Sequence, residues 1–372
     1  MKSFICLLYS LLIIYMLDAQ SAQEYNNTAK SKSQMKDYYG AIQDFNKVIE
    51  LNPSDANAYY NRGCVKDELK DYNGAIKDYD KAIELNPVDI MTYNNRGISK
   101  EKLQDYKGAI QDYDKAIELE PKNAISYYNR AETLQKINDF NGAIKDYDKA
   151  IELNPQLYTA YINRGSSKDE LKDYKGATKD FNKAIELKPQ FADAYYGRGV
   201  VKFELKDYKG AIQDYKKAIE LNPQFANAYY SRGVVNMELK NYKEAIHDYS
   251  KTIELKPQFA DAYYGLGVAN FELKDYKESI QDYNKAIELN PQFANAYYNR
   301  GVVNMELKNY KEAIHDYGKT IEINPQLADA YLNRGAINIV VFKDIKNGCI
   351  DLNKASLLGS AKAHETLILF CK

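Results

Sequence analysis

An all-α solenoid of antiparallel helix pairs, closed by a C-terminal capping helix, is the fold the sequence predicts, and three observations predict it. All nine prolines, Pro53, Pro87, Pro121, Pro155, Pro189, Pro223, Pro257, Pro291 and Pro325, stand 34 residues apart, and a strict internal period of this size marks a quasi-linear array. Within each interval two apolar sets recur at helical spacing; from Ala192 to Phe225 they are Tyr195, Gly199 and Phe203, then Tyr208, Ala211, Ile212, Tyr215, Ala218 and Ile219. Residues 190–257 and 258–325 agree at 58 of 68 positions, so the array has grown by copying a block of two periods.

Taken in chain order, residues 1–21 come first and differ in kind. Lys2 is followed by an apolar run from Phe4 to Leu17, broken only by Ser10, and then by the small residues of "DAQSAQ". As a helix the run would reach about 21 Å, short of the roughly 30 Å hydrocarbon core. This is the pattern of a signal peptide cleaved between Ala19 and Gln23. Export to a periplasm, the cell surface or the extracellular space is therefore expected, with no membrane span in the mature chain. Cys6 would leave with the leader, and Cys64, Cys349 and Cys371 would remain.

Ten units follow over 22–358, starting at Ala22, Ala56, Ile90, Ala124, Tyr158, Ala192, Ala226, Ala260, Ala294 and Ala328. In a unit such as Ala192–Phe225, Lys206 and Asp207 mark the turn between its helices, and Pro223 ends the second because it cannot continue the hydrogen-bond ladder. The first unit, polar from Tyr25 to Met35, is expected to cap weakly. The last carries one extra residue before its second helix and has Gly359 where proline would stand. Beyond it, over 359–372, Ala363, Leu367, Phe370 and Cys371 form one apolar stripe, suited to a helix that covers the exposed end of a stack. Cys349 and Cys371 both lie eleven positions from Ser360, so two antiparallel helices joined there would set them opposite each other for a disulfide.

The 34-residue period, small residues at positions eight, twenty and twenty-seven (Gly199, Ala211, Ala218), aromatics at four, seventeen and twenty-four (Tyr195, Tyr208, Tyr215) and proline at thirty-two (Pro223) resemble the tetratricopeptide repeat. The resemblance covers nearly the whole mature chain. It implies a superhelical solenoid whose first helices line a concave groove for a protein or peptide ligand. One departure is systematic: the usual leucine at position seven is arginine in Arg62, Arg96, Arg130, Arg164, Arg198, Arg232, Arg300 and Arg334, with Leu266 the exception. A guanidinium at a packing seam needs a partner. The recurring Asp78, Asp112, Asp146, Asp180, Asp214, Asp248, Asp282 and Asp316 are the candidates.

Chemistry is absent from the motifs. There is no phosphate loop, no GxSxG and no CxxC, and the acidic residues recur in every unit where a catalytic carboxylate would be singular. His247, His315 and His364 are scattered without ligand-spaced companions, so neither a metal nor another cofactor is implied and solvated surface is the expected role. Lys plus Arg number 51 against 52 for Asp plus Glu, interleaved, which argues against a nucleic-acid partner. An enzyme is not expected.

What remains is the surface that the resemblance turns inward. In the first half, position six is Asn61, Asn95, Asn129 and Asn163; either these amides match the donor and acceptor of an extended peptide backbone, or asparagine is simply tolerated there. In the second half Tyr196, Tyr230, Tyr264 and Tyr298, Val200, Val234, Val268 and Val302, and Phe203, Met237, Phe271 and Met305 form an apolar lining, although some of the rings are equally suited to packing between repeats. The lysine and arginine of the family's chaperone-tail clamp are missing, because position two reads Asn57, Met91, Ile125, Thr159 and Asp193. A protein-binding scaffold or adaptor in the cell envelope is the expected function. A module that binds carbohydrate or envelope polymer is the alternative, since Tyr and Asn also suit sugars.

Overall fold

The turn chemistry repeats as regularly as the prolines do. In a computed structural model that describes residues 20–371, every described element is an α-helix. Ten residues from Lys36 to Lys343, each just past a first helix, take φ of 60–64°, the left-handed step that lets the chain reverse. At the next position Asp37, Asp71, Asp105, Asp139, Asp173 and Asp207 cap the second helices, each carboxylate accepting from the backbone N–H of the glycine three residues on. The glycine leaves room for the carboxylate: a Cβ at Gly210 would lie 2.2 Å from Asp207 Oδ2, so the aspartate would have to shift. Where glutamate replaces it, at Glu244, Glu278 and Glu312, the cap side chain makes no such bond.

The chain divides after Pro189 into two compact units. The first holds α1 (20–34), α2 (Tyr38–Leu51), α3 (Ala56–Glu68), α4 (Tyr72–Leu85), α5 (Ile90–Lys102), α6 (Tyr106–Leu119), α7 (Ala124–Lys136), α8 (Phe140–Leu153), α9 (Tyr158–Glu170) and α10 (Tyr174–Leu187). Within this unit α3, α5, α7 and α9 each pack on the helix that follows, and α2, α4, α6 and α8 each pack on the next first helix. Tyr79, Tyr113, Tyr147 and Phe181 of the second helices are buried at these seams. α1 does more than its polar sequence suggests. Ala29 is fully buried against Ala41, Phe45 and Val65, and Lys32 Nζ reaches Asp44 at 2.7 Å. The expected leader lies outside the described residues, except for Gln20 and Ser21, which are helical.

The second unit holds α11 (Ala192–Glu204), α12 (Tyr208–Leu221), α13 (Ala226–Glu238), α14 (Tyr242–Leu255), α15 (Ala260–Glu272), α16 (Tyr276–Leu289), α17 (Ala294–Glu306), α18 (Tyr310–Ile323), α19 (Ala328–Val340), α20 (Ile345–Leu357) and α21 (Ala361–Phe370). The pairwise packing is the same, and close backbone approach depends on missing side chains: a Cβ at Gly267 would stand 2.6 Å from the Tyr283 ring. α21 packs on α20 after a turn through Gly359 at φ +93°. Ala363 is fully buried there, with Leu367 and Cys371 partly covered, and Cys371 is bonded to Cys349 with Cα atoms 5.7 Å apart. The stripe read from the sequence is narrower in fact. Phe370 is 49% exposed, because burying Ala363 and tying Cys371 to α20 turns the intervening ring outward. No described helix is long and apolar enough to cross a membrane.

Candidate functional site

The arginine at position seven builds the seams. Arg62 donates through Nε to Asp78 Oδ2 at 2.9 Å and through Nη2 to Oδ1 at 2.6 Å, and the same fork joins Arg96–Asp112, Arg130–Asp146, Arg164–Asp180, Arg198–Asp214, Arg232–Asp248 and Arg300–Asp316. The extra residue in the last unit makes the partner of Arg334 Asp351. Each of these guanidiniums also lies 5.4–5.9 Å over the ring of the tyrosine three residues earlier. Leu266 breaks the series. Asp282 then accepts only from Asn270, at 2.8 Å, and burial pushes its carboxyl up to about 6, with Glu278 and Asp275 adding to the rise.

On the first-helix face the two units differ chemically. In the first unit a polar relay links successive repeats: Ser99 Oγ donates to Asp67 at 2.7 Å, Thr133 Oγ1 to Glu101 at 2.6 Å, and Tyr79 and Tyr147 hydroxyls to Asp67 and Gln135. Burial raises the carboxyls of Asp67 and Glu132. Two of the four asparagines belong to this relay. Asn95 Nδ2 donates to Tyr60 Oη at 3.0 Å and Asn163 Nδ2 to Tyr128 Oη at 3.1 Å; Asn129 is buried and Asn61 half-buried. These bonds use N–H groups of the two amides and not their carbonyl oxygens. Cys64, the free cysteine among the described residues, sits inside the same network, 3.5 Å from Tyr79 Oη and Asn95 Nδ2.

In the second unit the same register is apolar. Val235, Val303 and Ile337 replace the hydroxyls and pack against Phe203, Phe271 and Met305. Tyr196, Tyr230, Tyr264 and Tyr298 are each half-buried, their rings 5.7–5.9 Å from Tyr215, Tyr249, Tyr283 and Tyr317. Phe225, Phe259 and Phe293, which the sequence did not single out, sit 4.9 Å from the first three. These phenylalanines stand where Asp55, Asp89 and Asn123 of the first unit cap a first helix. The repeat exchanges a polar cap for an aromatic wall, and the signal was visible as "NPQF" in place of "NPSD" or "NPVD". Val200 and Val302 likewise pack partly into the seams.

Over α13–α15 these side chains enclose a groove of ≈ 470 Å³ whose floor is Tyr230, Val234, Met237, Tyr264 and Val268, with Tyr249 beneath. Glu238, Lys240, Asp261 and Glu272 stand around it, and Tyr242 Oη donates to Glu272 at 3.1 Å. Burial, followed by the Asp261 carboxylate, lifts the Tyr230 phenol above its ordinary range. On the opposite face His247 and His315 are exposed and line matching cavities of ≈ 410 and ≈ 450 Å³. These rival the groove in size. Their walls are the Arg232–Asp248 and Arg300–Asp316 forks with Lys and Glu side chains, and a single isoleucine each supplies apolar surface. Among the described residues no cluster of His, Cys, Asp and Glu could hold a metal ion.

A family model described as TPR repeat matches residues 33–66, 101–138, 170–206, 201–240, 237–274 and 269–308, and one described as Tetratricopeptide repeat matches 56–89, 124–157 and 294–327. No curated protein sequence matches the chain. Among solved structures, the crystal structure of YrrB, described as a TPR protein with an unusual peptide-binding site, is 30% identical over 50% of this chain and 95% of its own, with a TM-score of 0.42. A tetratricopeptide repeat protein from Parabacteroides merdae is 22% identical, covering 67% of this chain and 99% of its own at 0.49. The APC/C hetero-tetramer Cut9-Hcn1 is 16% identical, covering 96% of this chain and 85% of its own at 0.51, a likeness of fold.

Proposed function

Because the chain belongs to the tetratricopeptide repeat family, we propose that it is a non-enzymatic interaction scaffold at the cell envelope, and that the groove over α13–α15 takes an extended segment of a protein partner. The observation that carries this is the groove itself: five half-buried apolar and aromatic side chains converge on one cavity of ≈ 470 Å³, and contiguous apolar surface on a repeat array is where partners dock. In the first unit the corresponding face carries a polar relay, with Ser99 on Asp67 and Asn163 on Glu132, in place of contiguous apolar surface.

A photo-crosslinking residue placed at Val268 is expected to trap a partner segment in the native cell, while one at Lys243 on the second-helix face traps none. Met237→Ala with Tyr264→Leu should cut capture at least about tenfold, the scale of a lost interface anchor, with helix content retained. Equal trapping at both positions would move the binding face elsewhere. If Tyr264→Leu unfolds the chain, Val234→Thr carries the same test without removing a ring.

Export rests on the leader-like residues 1–21 and on the Cys349–Cys371 bond, since disulfides persist in oxidising compartments. Peptide mapping of protein taken from cells without reduction should recover the linked pair, with Cys64 unlinked. Free thiols at both positions would count against export.

A further inference from the structure

We propose that the groove selects a cationic segment: two Lys or Arg side chains about five residues apart, flanking an apolar residue that rests on the floor. This deepens the peptide-groove reading and depends on it. α15 carries Asp261 at its start and Glu272 at its end, both exposed, eleven residues and therefore about 16 Å apart along the helix. Between them lie Tyr264 and Val268. On α13, Glu238 repeats the Glu272 edge. Among the residues that line the groove three carboxylates stand beside one ammonium, that of Lys240, with Lys256 at the rim held by Asn227, on a chain whose net charge is only −1.

The excess is a property of this face. Its register continues with Asp193 and Glu204 on α11, Glu306 on α17 and Asp329 on α19, all exposed. In the first unit the same two positions read Asn57, Met91, Ile125 and Thr159, then Glu68, Lys102, Lys136 and Glu170, so no helix there carries both carboxylates, as α11 and α15 do, while α13 and α17 carry Asn227 and Asn295 at the first position. An extended strand advances about 3.3 Å per residue, and about five residues therefore bridge the edges. The molecule shows how an ammonium settles at this rim: Lys256 Nζ lies 6.0 Å over the Phe259 ring while donating to Asn227 Oδ1 at 2.8 Å. A ligand lysine meets the same combination at Tyr230 and Asp261, an aromatic face beside an acceptor.

The test is fluorescence anisotropy of the full chain with a labelled peptide, Gly-Lys-Ala-Leu-Phe-Ala-Lys-Gly, and its versions with Gln or Glu in place of both lysines. The lysine peptide is expected to bind about tenfold or more tighter than the Gln peptide, with the advantage shrinking as salt rises and the Glu peptide weakest. Glu238→Gln, Asp261→Asn and Glu272→Gln together should equalise the lysine and Gln peptides; Met237→Ala should weaken all three. Equal binding of the lysine and Gln peptides to the unaltered chain, or a preference that survives the triple change, would overturn the charge proposal and leave the groove standing. Binding of none of the peptides would remove both.

Discussion

Asp248→Ala is expected to cost about 3–5 kcal/mol, the range for breaking a buried ion pair by removing one partner. Asp248 is 1% exposed and accepts from Arg232 Nε at 2.9 Å, Arg232 Nη2 at 2.6 Å and Asn236 Nδ2 at 3.2 Å. Alanine strands a guanidinium held against the Tyr229 ring, with its fork pointing into a seam that water reaches poorly. Denaturant titration followed by far-ultraviolet circular dichroism measures the loss, and hydrogen exchange should place it in α13–α15, because each repeat is supported by its neighbours. Arg232→Met with Asp248→Leu should recover much of the loss, since two apolar side chains leave no charge behind. A cost below about 1 kcal/mol for Asp248→Ala would mean that the forks behave as exposed ion pairs.

The forks were legible in the sequence because both partners recur in one period and a buried arginine needs an acid. The fold was legible for the same reason: proline, the small residues and the rings keep phase through copy after copy. The lining was only half legible. Position five lies between groove and seam, so Tyr230 is at once floor of the groove and partner of Tyr249, and periodicity alone does not apportion a ring between the two. The asparagines show a second limit. Asn95 meets Tyr60 of the preceding repeat, 35 residues back, a contact set by the stagger between neighbouring first helices that no single unit displays. At the cap, Phe370 shared the helical stripe of Ala363 and Leu367, yet the Cys349–Cys371 bond and the burial of Ala363 set the rotation of α21.

The exception in the series gives the second large effect, opposite in sign. Asp282 has lost its arginine to Leu266 and keeps a single amide donor, Asn270, while Glu278 and Asp275 face it with like charge. Its carboxyl rises from 3.8 to about 6, so the folded state binds the proton more tightly than the unfolded chain does. The contribution is favourable below about pH 4 and is lost as pH rises through about 6, which makes the ionised group a burden at neutral pH. That interval corresponds to about 3 kcal/mol, and because Asp282 is only partly buried, about 2 kcal/mol is expected after solvent screening.

Asp282→Asn should therefore stabilise the second unit by about 2 kcal/mol at neutral pH and by almost nothing near pH 4. Leu266→Arg should gain a similar amount at neutral pH by restoring the fork, with Tyr263 placed as the tyrosine three residues earlier is for every other arginine of the series. Its pH dependence runs the other way, since a carboxylate held by arginine loses its contribution as acid protonates it. Combining the two changes should forfeit the gain, because the new guanidinium then faces a neutral amide. Parallel denaturation curves at the two pH values decide the matter. An Asp282→Asn variant no more stable than the parent at neutral pH would show that Asn270 alone satisfies the carboxylate, and that Leu266 costs the array nothing.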